Sequence, residues 1–266
     1  MFKPNPDGMR MEPTPERVLA VCRLAARGGM TREEIREAMT LGTVNERAAD
    51  QINKSINVAL DELGLLQPKD QILCLAVPPE IVFSPQAFRR YVSAQVFSRK
   101  DSTFVMLSKW VIGQNEKLLD MGTWEVMAKT CASQESLLSR LNENAVLGWR
   151  FWAAFLGLGY LSGTMLLPNM KQRLEDVLAE GFRHSFKCEE AVLAADFIAW
   201  LRSRLPETEL GSPLPLAVSS GLRTLHELGL IKLETWRDSD RVMLYYVDGD
   251  PINAFSHITV SEEGCR

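Results

Sequence analysis

Histidine is scarce in this chain, with three residues in 266, and cysteine is sparse and odd in number at five. A metal centre needs three or four Cys, His or carboxylate ligands at workable spacing. Only His184 and Cys188 stand four apart, which falls short of a ligand set, so neither a metal nor any other cofactor is expected. Cys22, Cys74, Cys131, Cys188 and Cys265 show no pairing pattern. Cys22 lies in a helical apolar stripe and Cys74 in an apolar strand, where a thiol packs as a small hydrophobe. Long hydrophobic runs are missing too. The most apolar stretch, residues 151–161, follows Arg150 directly and is too short to cross a bilayer. The opening residues are polar and broken by Pro4 and Pro6, unlike a signal peptide. A reduced, cytoplasmic protein without a membrane span is expected.

An excess of positive charge is also lacking. The net charge is −4, distributed as −2 over residues 1–80, +3 over 81–184 and −5 over the remainder. A dedicated nucleic-acid binder usually carries a strongly basic face, so any such contact here must be local. Phosphate-binding loops are absent: there is no Walker-type motif, and Gly157-Leu158-Gly159 with Gly163 has the wrong spacing and follows a helix where a dinucleotide fingerprint follows a strand. His226 and His257 stand in no arrangement that suggests a nucleophile and its base. Acid pairs such as Glu33-Glu34, Asp61-Glu62 and Glu189-Glu190 fall in first helical turns or on polar faces, where they complement the helix dipole. The chain is therefore expected not to be an enzyme.

What is present is a repeated grammar of helix, glycine stop and hairpin. Residues 1–13 read as a flexible arm. Thr14 and Pro15 open a first helix with Val18, Val21, Cys22 and Ala25 inside, and Gly28-Gly29 stop it. Thr31-Arg-Glu-Glu34 and Thr43-Val-Asn-Glu46 are capping boxes for a second and a third helix. After Gly64, the turn at residues 68–70 and the apolar run at residues 71–77 make a hairpin. Residues 14–78 thus read as a winged helix.

Residues 79–184 read as a helical connector. Ser84-Pro85 caps one helix, residues 102–112 form another, and residues 144–156 are apolar nearly all round, as a helix buried on several sides requires. A glycine stop and a short hairpin follow, so a degenerate third winged unit is possible. Trp110, Trp124, Trp149 and Trp152 are candidates for a partner surface, with core packing as the alternative.

Residues 185–266 read as a second winged helix and tail. Residues 189–205 form its first helix, the usual middle helix is short or missing between residues 207 and 211, and a further helix runs to Leu228, with Gly229 as its left-handed stop. Leu225-His-Glu-Leu-Gly-Leu-Ile231 repeats Leu60-Asp-Glu-Leu-Gly-Leu-Leu66. Residues 230–236 and 241–247 are expected to pair as a two-stranded ribbon. The fold class is therefore mainly α with small β-hairpins: tandem winged-helix modules joined by a helical connector.

In a winged helix the third helix can enter the major groove while the wing touches phosphate. The candidates in the first module are Arg47, Gln51 and Lys54 on the third helix, beside Asn45, with Lys69 at the wing tip. Those in the last module are Arg223, Lys232, Arg237 and Arg241. Arginine and glutamine read base edges, and lysine holds phosphate. Asp50, Asp238 and Asp240 interrupt both faces, and winged helices also bind proteins, so both uses stay open.

Trp149-Arg-Phe-Trp152, Leu156-Gly-Leu-Gly-Tyr160 and Leu166-Leu-Pro168, lying between two such modules, resemble the DpdG proteins, winged-helix accessory components of bacterial DNA-deazaguanine modification and restriction islands. Tandem winged helices in an acidic chain also resemble the kleisin-interacting subunits of chromosome-organising and plasmid-defence complexes. Against that second group, about a hundred residues separate the two modules here. The resemblance implies a non-catalytic adaptor subunit of a bacterial multi-protein complex acting on DNA, in phage defence, with other protein subunits and double-stranded DNA as partners. The alternative is a DNA-binding transcription regulator.

Overall fold

Capping residues set the helix boundaries. The Thr14 hydroxyl accepts the Arg17 N–H, and Pro15 opens α1 (Pro15–Ala25). Thr31 and Glu34 form the expected reciprocal box at the start of α2 (Arg32–Met39). Helix α3 (Glu46–Asn57) begins one cap later than anticipated, with the Asn45 side chain accepting the Ala48 N–H. In this computed structural model residues 1–4, 9–43 and 45–266 are described. The box anticipated over residues 43–46 includes Val44, which lies outside them.

Helix α3 runs into a π-helical turn, Val58–Glu62. Strands β1 (Leu66–Lys69) and β2 (Ile72–Leu75) then pair antiparallel, with Met30 bridging Leu73 on the far side of β2. Helices α4 (Pro79–Phe83), α5 (Pro85–Phe97, capped by Ser84), α6 (Thr103–Gly113), α7 (Lys117–Asp120), α8 (Trp124–Gln134) and α9 (Glu143–Phe155) follow. Strands β3 (Gly159–Ser162) and β4 (Met165–Pro168) make a hairpin. The remaining elements are α10 (Lys171–Gly181), β5 (Ala191–Leu193), α11 (Ala194–Arg202), α12 (Leu216–Glu227), β6 (Ile231–Glu234), β7 (Val242–Met243), β8 (Ala254–Phe255) and β9 (His257–Val260). The chain is mainly α with small antiparallel sheets. No helix among the described residues is long and apolar enough to cross a membrane.

Two compact units result: residues 1–105 with 124–155, and residues 106–123 with 156–266. In the first, the start of the chain is not the loose arm its polarity suggests. Met1, Phe2, Met9 and Pro13 are buried; residues 5–8 of that arm lie outside the described residues. Phe2 packs edge-on against Phe104 and Trp152, with ring centroids 5.2 and 5.1 Å away. Full burial of such a side chain contributes about 1.5–3 kcal/mol. The Trp152 indole N–H donates to the Pro13 carbonyl at 2.6 Å. Trp110, Trp124, Trp149 and Trp152 are each at most 7% exposed, so they are buried and offer no partner surface.

The second unit corrects the strand pairing expected at its end. Strand β6 does not pair with residues 241–247. Its partner is β9, which also holds β5, giving the order β5–β9–β6. Residues 242–243 alone form β7, which pairs with β8. The physical cause is Arg223, whose guanidinium donates to the carbonyls of Tyr245 and Ile252 and so gathers the intervening segment into a loop. Helix α10, assigned to the connector from sequence, packs against α12, while α11 stands between β5 and α12 in chain order. Helix, strand, helix, helix and two further strands thus follow one another as α10, β5, α11, α12, β6 and β9. In the first unit the series α1, Met30, α2, α3, β1 and β2 has the same order, and its strands again run first–third–second. Helix α9 and the β3–β4 hairpin, read together as a degenerate third unit, fall in different compact units.

The cysteine reading also needs correction. Cys188 is disulfide-bonded to Cys265, 77 residues away, while Cys22, Cys74 and Cys131 are free. Antiparallel pairing of β5 with β9 brings the segment before one strand beside the segment after the other, a proximity that spacing along the chain does not reveal.

Candidate nucleic-acid interface

Helix α3 presents Arg47, Gln51 and Lys54 along one stripe, since residues three and four apart share a helix face. Arg47 is exposed, and Gln51 and Lys54 are half-buried. Lys54 is not free to seek phosphate: its ammonium meets Asp50 at 2.7 Å and Glu12 at 2.8 Å. Its hydrogen bond to Asp50, then that to Glu12, holds its pKa above the ordinary lysine value. Pro13, Arg10 and Lys3 join Asp50, Lys54 and Asp61 around a cavity of about 430 Å³ beside the C-terminal half of α3. The open part of the stripe is therefore its N-terminal half, around Arg47. Lys69 stands exposed at the end of β1, next to Asp70, whose φ of 57° makes the hairpin turn. Neither Arg47 nor Lys69 has an ion-pair partner among the described residues.

The last-module candidates separate into three kinds. Arg223 is buried, at 5% exposure. Its Nε donates to Ile252 O at 3.0 Å, and Asp250 lies 2.8 Å away. It is thus an inward-facing cation that closes a loop, correcting the expectation of an outward one. Lys232 projects from β6 but is paired with Glu234 at 2.8 Å. Arg237 and Arg241 are exposed, in the stretch between β6 and β7, without an ion pair among the described residues.

The two third helices differ in access. From Leu216 to His226 no residue of α12 is exposed. Helix α10 lies so close that a Cβ on Gly221 would stand 2.8 Å from the Lys171 nitrogen. An enclosed helix cannot enter a DNA groove about 12 Å wide. Helix α3, by contrast, leaves Glu46, Arg47 and Asp50 open to solvent.

Sequence reasoning passed over Trp236, the residue before Arg237. Its ring lies on the His257 imidazole, with centroids 3.7 Å apart. Adjacency to a strand end and an arginine was the available signal. Ser256 Oγ is 3.0 Å from His257 Nδ1, but this hydroxyl also accepts the Trp236 N–H at 2.8 Å. The pair is buried and spent on holding the tryptophan. No cluster of three or more potential metal ligands occurs among the described residues.

No curated protein and no solved structure matches the chain. The DpdG-like family matches residues 9–213, which takes in the whole first three-helix series and ends just before α12. By this match over most of its length, the chain belongs to the DpdG-like family.

Proposed function

We propose that the chain is a non-catalytic winged-helix adaptor subunit of a bacterial multi-protein complex acting on DNA in phage defence. It binds other protein subunits and uses its first module to contact double-stranded DNA. Membership of a family associated with DNA modification and restriction supports the pathway. The repeated order of helices and strands, with the third strand between the other two, supports the winged-helix reading of both modules. The observation that carries the division of labour is the contrast between α3, open around Arg47, which has no ion pair among the described residues, and α12, which has no exposed residue from Leu216 to His226. In this reading Arg47 and Gln51 face base edges, Lys69 meets backbone phosphate, and the second module serves mainly as scaffold and protein contact.

The test is affinity purification of the tagged chain from its host, with and without nuclease. Proteins that stay bound after nuclease treatment support the adaptor. Loss of every partner, with DNA retained in the untreated sample, would replace it with the transcription-regulator reading. Duplex binding is checked separately by fluorescence anisotropy. Lys69→Ala should flatten the salt dependence by about one unit of log–log slope, whereas Arg47→Ala should weaken binding by about 1–3 kcal/mol and relax the sequence preference.

A further inference from the structure

Of the six tryptophans, five are at most 8% exposed, whereas Trp236 is 46% exposed. Its position is fixed. One face of the indole stacks on His257, with planes 21° from parallel, and its backbone N–H is held by Ser256. Ser256 N–H in turn donates to Glu234 O at 2.8 Å, so the sheet itself sets the ring. Ser256 and His257 are buried. An aromatic surface already locked in place has little side-chain entropy left to lose when something docks on it. The adjacent Arg237 and nearby Arg241 are exposed cations without an ion pair among the described residues.

We propose that Trp236 is a stacking platform for an unpaired nucleobase of single-stranded DNA, with Arg237 and Arg241 on the flanking phosphates. This rests on the DNA-directed reading above and extends it to a second nucleic-acid form and a second site. Every base has a π-face, so such a platform is tolerant of sequence. The planar guanidinium matches phosphate geometry with paired N–H donors. Asp238 and Asp240 lie between the two arginines, leaving the loop without net charge. Stacking then supplies most of the affinity, and two phosphate contacts give a log–log salt slope near about −1.4. Two exposed guanidinium groups, one and five residues after Trp236 and without an ion pair among the described residues, favour a polyanion over an apolar protein surface.

The full-length chain is titrated with a short oligothymidylate, an abasic oligonucleotide of the same length and a duplex, following tryptophan fluorescence and anisotropy. Because Trp236 alone is exposed, quenching reports its contact. The expected result is quenching by oligothymidylate, with the abasic strand bound about 5- to 150-fold more weakly. Trp236→Ala should abolish the difference between the two strands. Arg237→Ala and Arg241→Ala, surface changes that leave the fold intact, should each reduce the salt slope by about 0.7. Equal binding of both strands without quenching overturns the platform. Duplex binding without single-strand binding overturns it while leaving the DNA-directed reading standing, and loss of all three probes removes both. Protection of Trp236 by a co-purified protein, with no quenching by any oligonucleotide, also overturns it and assigns the ring to a protein interface.

Discussion

The backbone of Gly148 in α9 lies so close to that of Arg10 that a Cβ on the glycine would stand 2.6 Å from the Arg10 carbonyl oxygen. Alanine is ordinarily favoured over glycine in a helix by about 0.5–1 kcal/mol. Here the contact reverses the sign, because the obstacle is backbone and cannot rotate away. Gly148→Ala should destabilise the protein by about 1–3 kcal/mol, read as a lower urea midpoint with unchanged slope. Protease cleavage near residues 9–13 should rise with it. A neutral or stabilising result would mean the N-terminal segment does not pack across α9.

Arg223 and Arg237 are both arginines near one loop, yet they should behave oppositely. Replacing Arg223 with methionine leaves Asp250 and the Tyr245 and Ile252 carbonyls without their donor. A loss of about 3 kcal/mol is expected in denaturant unfolding. Arg237→Ala should stay within about 0.5 kcal/mol of the parent. Equal stability of the two variants would remove the structural role assigned to Arg223.

The Cys188–Cys265 bond closes a loop of 77 residues' separation. Constraint of the unfolded chain by a loop of that size stabilises by about 4.5 kcal/mol in the chain-entropy account. The Cys188→Ser, Cys265→Ser double variant should melt lower than the oxidised parent and match the reduced parent. Mass spectrometry under non-reducing conditions shows whether the bond is present in purified protein, and two free thiols at these positions would contradict it.

Burial pushes the Cys22 thiol up to about 12, and burial together with the Glu135 charge does the same for Cys131. Both should resist alkylation at neutral and mildly alkaline pH until the chain unfolds, while the half-buried Cys74 reacts first. The raised pKa also has a linkage consequence. Folded protein holds these protons more tightly than the unfolded chain does, so their contribution is flat below the ordinary value of 9.0 and stability declines from there towards pH 12. Stability that rises through that window would contradict the burial of both thiols.

Local chemistry made much of this legible in the sequence. Thr14, Thr31 and Ser84 announced their helices because a cap is decided by residues three apart, and Gly64 and Gly229 marked helix ends that carry positive φ. The first hairpin was legible for the same reason, its strands being separated by a two-residue turn. Relationships across the chain were not legible. The partner of β6 lies about fifteen residues beyond the strand that alternation suggested, and nothing in a period-two pattern says which apolar run will be the neighbour.

The candidate site divides along the same line. Sequence alone nominated the candidates by type: Arg47, Gln51, Lys54 and Lys69 in one module, and Arg223, Lys232, Arg237 and Arg241 in the other. Tertiary structure decided which of them face outward, by placing Asp50 and Glu12 on Lys54 and enclosing Arg223. It also decided that Phe2 is core and that Trp236, among six tryptophans, is the ring left in solvent. A residue's type fixes what it can bind, whereas its burial and its partners depend on segments that fold beside it from far along the chain.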